Sequence, residues 1–415
     1  MARVNRRFKK ISKWALLNVK ELNLTDEIFR NIKPKSMKKM IRLMARNLEH
    51  VSYTELAGWL EGYKAAMEKR VMIMSKCRPP RLTKLSLVSS CDNALLCSLL
   101  SNLPNLRYLD WCTGTTVFPN ATCQSLERID FSSCNCELLE SMVVHCSNLT
   151  HLTLKSMHLS GKPWEEAING AIAKLPFLQE LNLSWRAYIH FNFYKVPNLS
   201  KMASLRSLVL AKFTIHDNAL ELNSSWLPQL ERLEVYWAYV TGGGVARLSR
   251  LNHLRSLLLH PVPKNGHEDL DQGMRQVASS CNRLRQVHTR DSAILSLTTV
   301  KTFVLCCPEL NKLVMDHVAG PVTKHDAVEF VKSLKGFPQK HIEIRLWGTR
   351  NTLWICVEVQ REMSRIKKQA NGRSISINGL EFGSTDLDDS IISLITKFMS
   401  HVINVVRNFF ERIFY

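Results

Sequence analysis

The feature that most constrains this chain is a six-residue phrase: an apolar residue, two variable ones, an apolar residue, one variable, then another apolar residue. Leu149-Thr-His-Leu152-Thr-Leu154 is its plainest copy. The phrase returns at Leu82/Leu85/Leu87, Leu106/Leu109/Trp111, Leu126/Ile129/Phe131, Leu178/Leu181/Leu183 and Leu205/Leu208/Leu210. It continues at Leu230/Leu233/Val235, Leu254/Leu257/Leu259, Leu284/Val287/Thr289 and Leu310/Leu313/Met315. Successive starts from Leu82 to Leu310 lie 24, 20, 23, 29, 27, 25, 24, 30 and 26 residues apart. Weaker copies precede at Val19/Leu22/Leu24 and Leu48/Val51/Tyr53, and one follows at Ile342/Ile344/Leu346.

A single unit of this length cannot stand alone. Three buried apolar side chains contribute roughly 1.5–3 kcal/mol each, whereas ordering the backbone costs on the order of 1–2 kcal/mol per residue. Stability must come from neighbours stacking into one continuous core. Periods in and beside about 20–29 residues are those of leucine-rich repeats. The expected fold is therefore an α/β leucine-rich-repeat solenoid of about 11–13 repeats, a horseshoe of parallel short strands with helical or irregular returns. Helix-like returns are read at 93–100 and 137–144. The strand entries are alike, as in Leu103-Pro-Asn-Leu106, Cys146-Ser-Asn-Leu149, Cys281-Asn-Arg-Leu284 and Cys307-Pro-Glu-Leu310.

At 45% hydrophobic, the 415 residues supply ample core. No apolar run reaches the ~18 residues needed to span a bilayer, and the basic start Met-Ala-Arg-Val-Asn-Arg-Arg lacks the apolar stretch of a secretory signal. The twelve cysteines are scattered through repeat positions without a paired C-x-x-C, so they read as buried reduced thiols. The expected compartment is cytoplasmic or nuclear. The net charge of +20 is uneven: residues 1–85 hold 21 Lys/Arg against 7 Asp/Glu. A solvated basic surface or an acidic protein partner accounts for this better than nucleic acid, because no interleaved aromatics or known module accompany the charge.

Residues 1–18 read as a basic amphipathic helix with Val4, Phe8, Ile11 and Trp14 on one side, directly ahead of the first strand. Val4-Asn-Arg-Arg-Phe8-Lys-Lys-Ile11, the tryptophan Trp14 and the repeat strand after it resemble the end of an F-box followed by its repeats. The repeat region also resembles the leucine-rich repeats of F-box proteins. An F-box opens with a Leu-Pro-x-Glu-like element and an apolar helix, and nothing ahead of Val4 supplies them. Two expectations follow: the sequence is a piece of a longer chain, or the box has been lost. By resemblance, Val4, Phe8, Ile11 and Trp14 would engage the Skp-type adaptor of a cullin ubiquitin ligase.

Residues 19–346 form the expected solenoid, 347–386 an irregular extension and 387–415 an amphipathic C-terminal helix. In the long first return, helices are expected over Ser36–Asn47 and Thr54–Met74. Gly242-Gly243-Gly244 lacks the Lys-Ser/Thr of a phosphate loop and reads as a turn. The C-terminal helix, apolar on a wide face from Ile391 to Ile413, reads as a cap; a membrane-surface or dimer helix is the other reading.

No H-E-x-x-H, G-x-S-x-G, kinase set or strand-linked G-x-G-x-x-G occurs. The chain is therefore expected to be non-catalytic and to need no cofactor or metal. Its working surface is the concave ladder, where side chains between the apolar ones point outward. One column runs Lys84, Tyr108, Arg128, His151, Glu180, Ser207, Arg232, Ser256, Gln286, Lys312; its neighbour runs Ser86, Asp110, Asp130, Thr153, Asn182, Val209, Glu234, Leu258, His288, Val314. Mixed acids and bases fit a protein partner better than a polyphosphate backbone. Tyr108 and the aromatics just past three strands — Trp185 and Tyr188, Phe213, then Tyr236, Trp237 and Tyr239 — are the candidate substrate contacts. The expected role is a substrate receptor of a Skp–cullin–F-box type ligase, with an interaction scaffold free of ligase coupling as the alternative.

Overall fold

The structure is a computed structural model that describes residues 14–25, 34–54, 68, 71–91, 93–113, 118, 123–155, 157–158, 164–184, 194–195, 199, 201–215, 217, 220, 227–263, 267–318, 342–348, 355–359, 375–377 and 380–382. Each copy of the phrase makes one strand of a single parallel ladder. It begins with Glu21–Thr25 beside His50–Thr54, then Lys84–Cys91, Tyr108–Thr113 and Arg128–Phe131. It runs on through His151–Leu154, Glu180–Ser184, Ser207–Ile215, Arg232–Val240 and Ser256–Pro263 to Gln286–Leu295, Lys312–Val318 and Ile342–Gly348. The register is the phrase itself: Leu85 lies beside Leu109, Leu109 beside Ile129, Ile129 beside Leu152 and Leu152 beside Leu181. The weak first copies are true members, since Leu22 pairs with Val51 and Leu24 with Tyr53.

The direction of pairing changes only after the last copy. Ile355–Val359 runs antiparallel to Ile342–Gly348, and Ile375–Ile377 and Leu380–Phe382 extend the same sheet. Beyond 350, the described residues of the extension are thus paired as strands.

The entries share one device. The amide of the first leucine donates to the carbonyl three residues back, as in Leu106 to Leu103, Leu149 to Cys146, Leu284 to Cys281 and Leu310 to Cys307. At two of the cysteine entries the thiol donates to carbonyls of the preceding repeat: Cys281 Sγ to Leu248 and Leu251, and Cys307 Sγ to Ala278 and Cys281 at 3.4 and 3.5 Å. The described cysteines are free thiols, and burial pushes Cys281 and Cys307 up to about 12. They serve as small apolar fillers that also donate.

Helices close the convex side. Cys136–His145 is capped by Asn135, whose Oδ1 accepts from Leu138 N at 2.8 Å, and packs on Trp164–Ile172. Leu297–Cys306 is capped by Ser296, and His267–Ser280 lies between it and the short helix Gly242–Ala246. Side-chain caps of this type satisfy amides that a helix start leaves open.

Gly242-Gly243-Gly244 is therefore not a turn but the start of a helix, capped by Thr241. The reason is space. A Cβ on Gly242 would stand 1.7 Å from the Asp269 carbonyl oxygen, and one on Gly273 would stand 2.2 Å from the Gly242 carbonyl oxygen. The glycines let two successive convex returns touch backbone to backbone.

An aspartate latches each of these returns to the next. Asp217 accepts from Thr241 N at 2.9 Å and from Thr241 Oγ1 at 2.7 Å. Asp271 accepts from Ser296 N at 2.7 Å, from Ser296 Oγ at 2.9 Å and from Thr299 Oγ1. The residues that cap one repeat's helix are held by the repeat before it.

The core is one continuous cluster from Leu24 to Met315, with phrase positions such as Leu85, Leu109, Ile129, Leu205 and Leu313 fully buried. Among the described residues, no helix is long and apolar enough to cross a membrane. Of the expected helix 1–18, residues 14–18 are described and 14–17 are helical; of 54–74, Thr54 ends a strand, and the other described residues, 68 and 71–74, are helical, in a run that reaches 77. The C-terminal helix 387–415 lies outside the described residues.

Candidate concave recognition site

The parallel register sets both outward columns side by side as the two-residue period requires. Tyr108 stands opposite Lys84 on one side and Arg128 on the other, and Asp110 stands opposite Asp130. The columns are not evenly exposed. Asp130 is only 5% exposed, and Thr153, Ser207, Val209 and Val314 are also buried. Asp130 lies under two partners, Tyr108 and Arg128, which both donate to it.

One cluster stands out. Lys84 Nζ lies 4.9 Å and Arg128 Cζ 5.1 Å from the centre of the Tyr108 ring, within cation–π range. Tyr108 donates its hydroxyl to Asp130 Oδ2 at 2.9 Å, and Arg128 donates to the same oxygen at 3.1 Å. Burial, then the Asp130 carboxylate, push the Tyr108 phenol above its ordinary range, so it stays a donor. Beside this group, His151 Nε2 lies 3.4 Å from Glu180 Oε1 and its Nδ1 lies 2.7 Å from Thr150 Oγ1.

Two acidic valences are left over. Asp130 Oδ1 is buried and has no hydrogen-bond partner among the described residues. Asp110, directly across the strand, is half-buried and pairs with no side chain among them. Burial, more than Lys155, Lys84 and Arg128 can offset, lifts the Asp110 carboxyl above the ordinary aspartate value, and Asp130 adds to the rise. Like charges directly opposite on a sheet are destabilising.

A sign follows for stability. With its native pKa raised, Asp110 binds more protons folded than unfolded, so its ionisation weakens the fold as pH rises from the ordinary aspartate value through the raised one. Asp110→Asn is expected to raise the melting temperature at pH 7 and to flatten that acidic part of the profile. Thermal melts across pH 4–7 check it, and a lower melting temperature at pH 7 refutes it.

A second feature flanks the cluster. The residues just ahead of these strands line a groove of about 700 Å³, bounded by Arg107, Glu127, Asn148, Phe177 and Gln179. Phe177 is 58% exposed there. Along the same rim run solvent-exposed ion pairs, including Arg107–Glu127 at 3.4 Å and Arg285–Glu309 at 2.8 Å. Each contributes little to stability.

Of the aromatics expected at the site, Tyr108 sits in the cluster. Tyr236 is half-buried, and its hydroxyl donates to Glu234 Oε2 at 3.3 Å, in a second group with Arg232, whose Nε donates to Glu234 at 2.9 Å. The side chains of Phe213, Trp237 and Tyr239 and the whole of Trp185 and Tyr188 lie outside the described residues, as do Val4, Phe8 and Ile11. Trp14 is described and is 68% exposed, at the start of the short helix 14–17 ahead of the first strand. Sequence reasoning had both columns but passed over the Asp110/Asp130 pair. Its signal was available: aligned repeats place two acids at the same position in consecutive copies.

Ladder, period and convex returns together define a leucine-rich-repeat solenoid. No family model matches the chain, and no curated protein matches it. Solved structures similar to it include a Bacteroides fragilis protein, at TM-score 0.39 and 12% identity over 58% of this chain and 76% of that one. Another is an internalin from Listeria monocytogenes, at TM-score 0.40 and 14% identity over 72% and 87%. The mouse RP105/MD-1 complex aligns at TM-score 0.30 and 14% identity over 72% and 62%. The assignment to the class rests on the ladder and its period.

Proposed function

We propose that this chain is a protein receptor whose concave leucine-rich-repeat face holds a partner. Its more specific role is substrate recognition for a Skp–cullin–F-box type ubiquitin ligase. The observation that carries the receptor reading is the mixed-charge, hydrogen-bonded cluster around Tyr108 on an otherwise open ladder. Rigid strands hold such groups in place before a partner arrives, which reduces the cost of binding. Ligase coupling is supported by the F-box resemblance and by Trp14, a large exposed aromatic at the start of the short helix 14–17 that precedes the first strand. The chain would perform no bond chemistry; it would raise the local concentration of a substrate near the transferring subunits.

The test is co-purification with a Skp-type adaptor of the full chain, of Trp14→Ala and of a version lacking residues 1–17. Retention by the full chain, with at least a tenfold loss in both variants, is the expected result. Equal retention by all three would remove residues 1–17 as the coupling element. No retention by the full chain would leave the scaffold reading.

A further inference from the structure

The returns of the first two repeats carry more positive charge than the fold can use. Residues 34–85 hold 12 Lys/Arg against 4 Asp/Glu, so eight cations would remain even if every acid took one. In the helix Pro34–Met44, Met37, Ile41 and Met44 are buried, whereas Lys35, Lys38, Lys39 and Arg42 are exposed. Exposed Arg46 follows, and spacings of three and four residues set these cations on one face over about 16 Å.

Helix stability does not call for such a stripe. A helix start favours acids, yet the first turn of Pro34–Met44 has none. Like charges four residues apart, as at Lys35/Lys39, Lys38/Arg42 and Arg42/Arg46, weaken a helix.

The next return widens the patch. In the helical run 71–77 and the segment after it, Lys76, Arg78 and Arg81 are exposed. The two returns touch. Arg81 Nη1 donates to Asn47 Oδ1 at 3.3 Å, and burial lifts the Cys77 thiol above its ordinary value while Arg42 and Lys38 oppose that rise. Arg78 Nε donates to Asn102 Oδ1 at 3.0 Å. Neutral amides thus orient two guanidinium groups and leave their charge uncancelled. Elsewhere cations are matched by acids: Lys20 with Glu49, and Arg206 and Arg255 with Glu231. Among the described residues, no ion pair reaches the stripe or Lys76, Arg78 and Arg81.

We infer that this basic patch on the first two returns docks an acidic segment of a protein partner, one that carries aliphatic residues among its carboxylates. The patch is separate from the concave columns and stands whether or not the chain couples to a ligase. Carboxylates match both the uncancelled ammonium groups and the guanidinium forks. The aliphatic part of the match is also on the surface. Half-buried Leu43 lies one turn from Lys39 and Arg46, and half-buried Ile73 one turn from Lys76. A sugar–phosphate backbone offers these side chains nothing, and the described residues of the two return helices include no aromatic on which a base could stack.

The probe is a fluorescein-labelled peptide of about twelve residues repeating Leu-Glu-Glu, read by anisotropy on the full chain at ~150 mM salt, where screening beyond ~8 Å is strong. Lys39→Glu/Arg46→Glu is compared with Lys174→Glu/Lys201→Glu, which reverses two exposed lysines of later repeats and changes the net charge equally. The expected result is binding by the wild-type chain, a loss of about tenfold or more in the first pair, and less than about threefold in the second. Serine in place of leucine in the peptide should weaken binding by about threefold or more. Circular dichroism verifies that the reversed variants fold. Lys39→Gln/Arg46→Gln removes the charges without reversing them and should lose about threefold or more, which keeps the test decisive if the reversed pair misfolds.

Equal loss in the two reversed pairs overturns the patch, because overall charge would then drive binding. A DNA duplex of about twelve base pairs, or phosphatidylserine vesicles, might instead bind more tightly than the peptide and lose that binding in Lys39→Glu/Arg46→Glu. That outcome overturns the protein partner and gives the patch to a phosphate-bearing one. No binding of the peptide by the wild-type chain overturns the inference outright.

Discussion

Gly242→Ala is expected to destabilise the fold by about 3 kcal/mol or more, the upper range for overpacking. The new Cβ would sit 1.7 Å from the Asp269 carbonyl oxygen and 2.2 Å from its carbon. Neither is the tip of a flexible side chain, so the backbone of His267–Ser280 would have to retreat. That retreat would also stretch the bond from Gly242 N to Asp269 Oδ2, now 2.7 Å. Gly273, one turn further along the same helix, also closes on Gly242, and a Cβ there would stand 2.2 Å from the Gly242 carbonyl oxygen. Gly243→Ala is the internal control. Its Cβ would meet only Thr241 Oγ1, at an ordinary 3.5 Å, and the position is exposed. Alanine there should stabilise the short helix by up to about 1 kcal/mol. Urea unfolding followed by circular dichroism measures both, and comparable midpoints for the two variants would mean that the returns do not pack as tightly as described.

This glycine run also shows where sequence reading stops. Three residues without side chains carry no apolar period, so nothing in them signals a helix. Thr241 ahead of them was a readable cap, but Asp217, which holds Thr241, and Asp269, which accepts from Gly242 N, lie in other repeats at distances that unequal return lengths hide. The strands were legible because burial repeats: Leu85, Leu109, Ile129 and Leu152 must all face one core, and parallel stacking leaves a single register. The outward columns came free with that register.

Burial within the columns did not. Asp130 is held by Tyr108 from the preceding strand and by Arg128 from its own, a combination that no single copy of the phrase shows. The Tyr108–Asp130 bond likewise joins residues 22 apart, one repeat's strand to the next. For a site of this kind, the repeats must be laid over one another before the chemistry becomes visible.

Trp111→Ala is the second large effect. Trp111 takes the last apolar place of its phrase, lies between Leu87 and Phe131 in register, and is fully buried. Truncating a buried tryptophan costs about 3–5 kcal/mol. In a solenoid the consequence is more than a lower midpoint. Each repeat gains its stability from the two it touches, so a weak strand interrupts coupling along the whole array. The expected urea profile of Trp111→Ala is broadened or biphasic, with the repeats from Arg128 onward outlasting those before it. Hydrogen exchange should show protection lost first over Glu21–Thr113.

Trp111→Phe separates size from polarity. The indole Nε1 is buried without an acceptor among the described residues, so phenylalanine removes an unpaired donor while keeping most of the ring. Its cost should be about 1 kcal/mol, and its transition should remain single. If Trp111→Ala instead unfolds in one transition with an unchanged slope, the array behaves as one cooperative unit, and coupling between repeats exceeds what a single strand can sever.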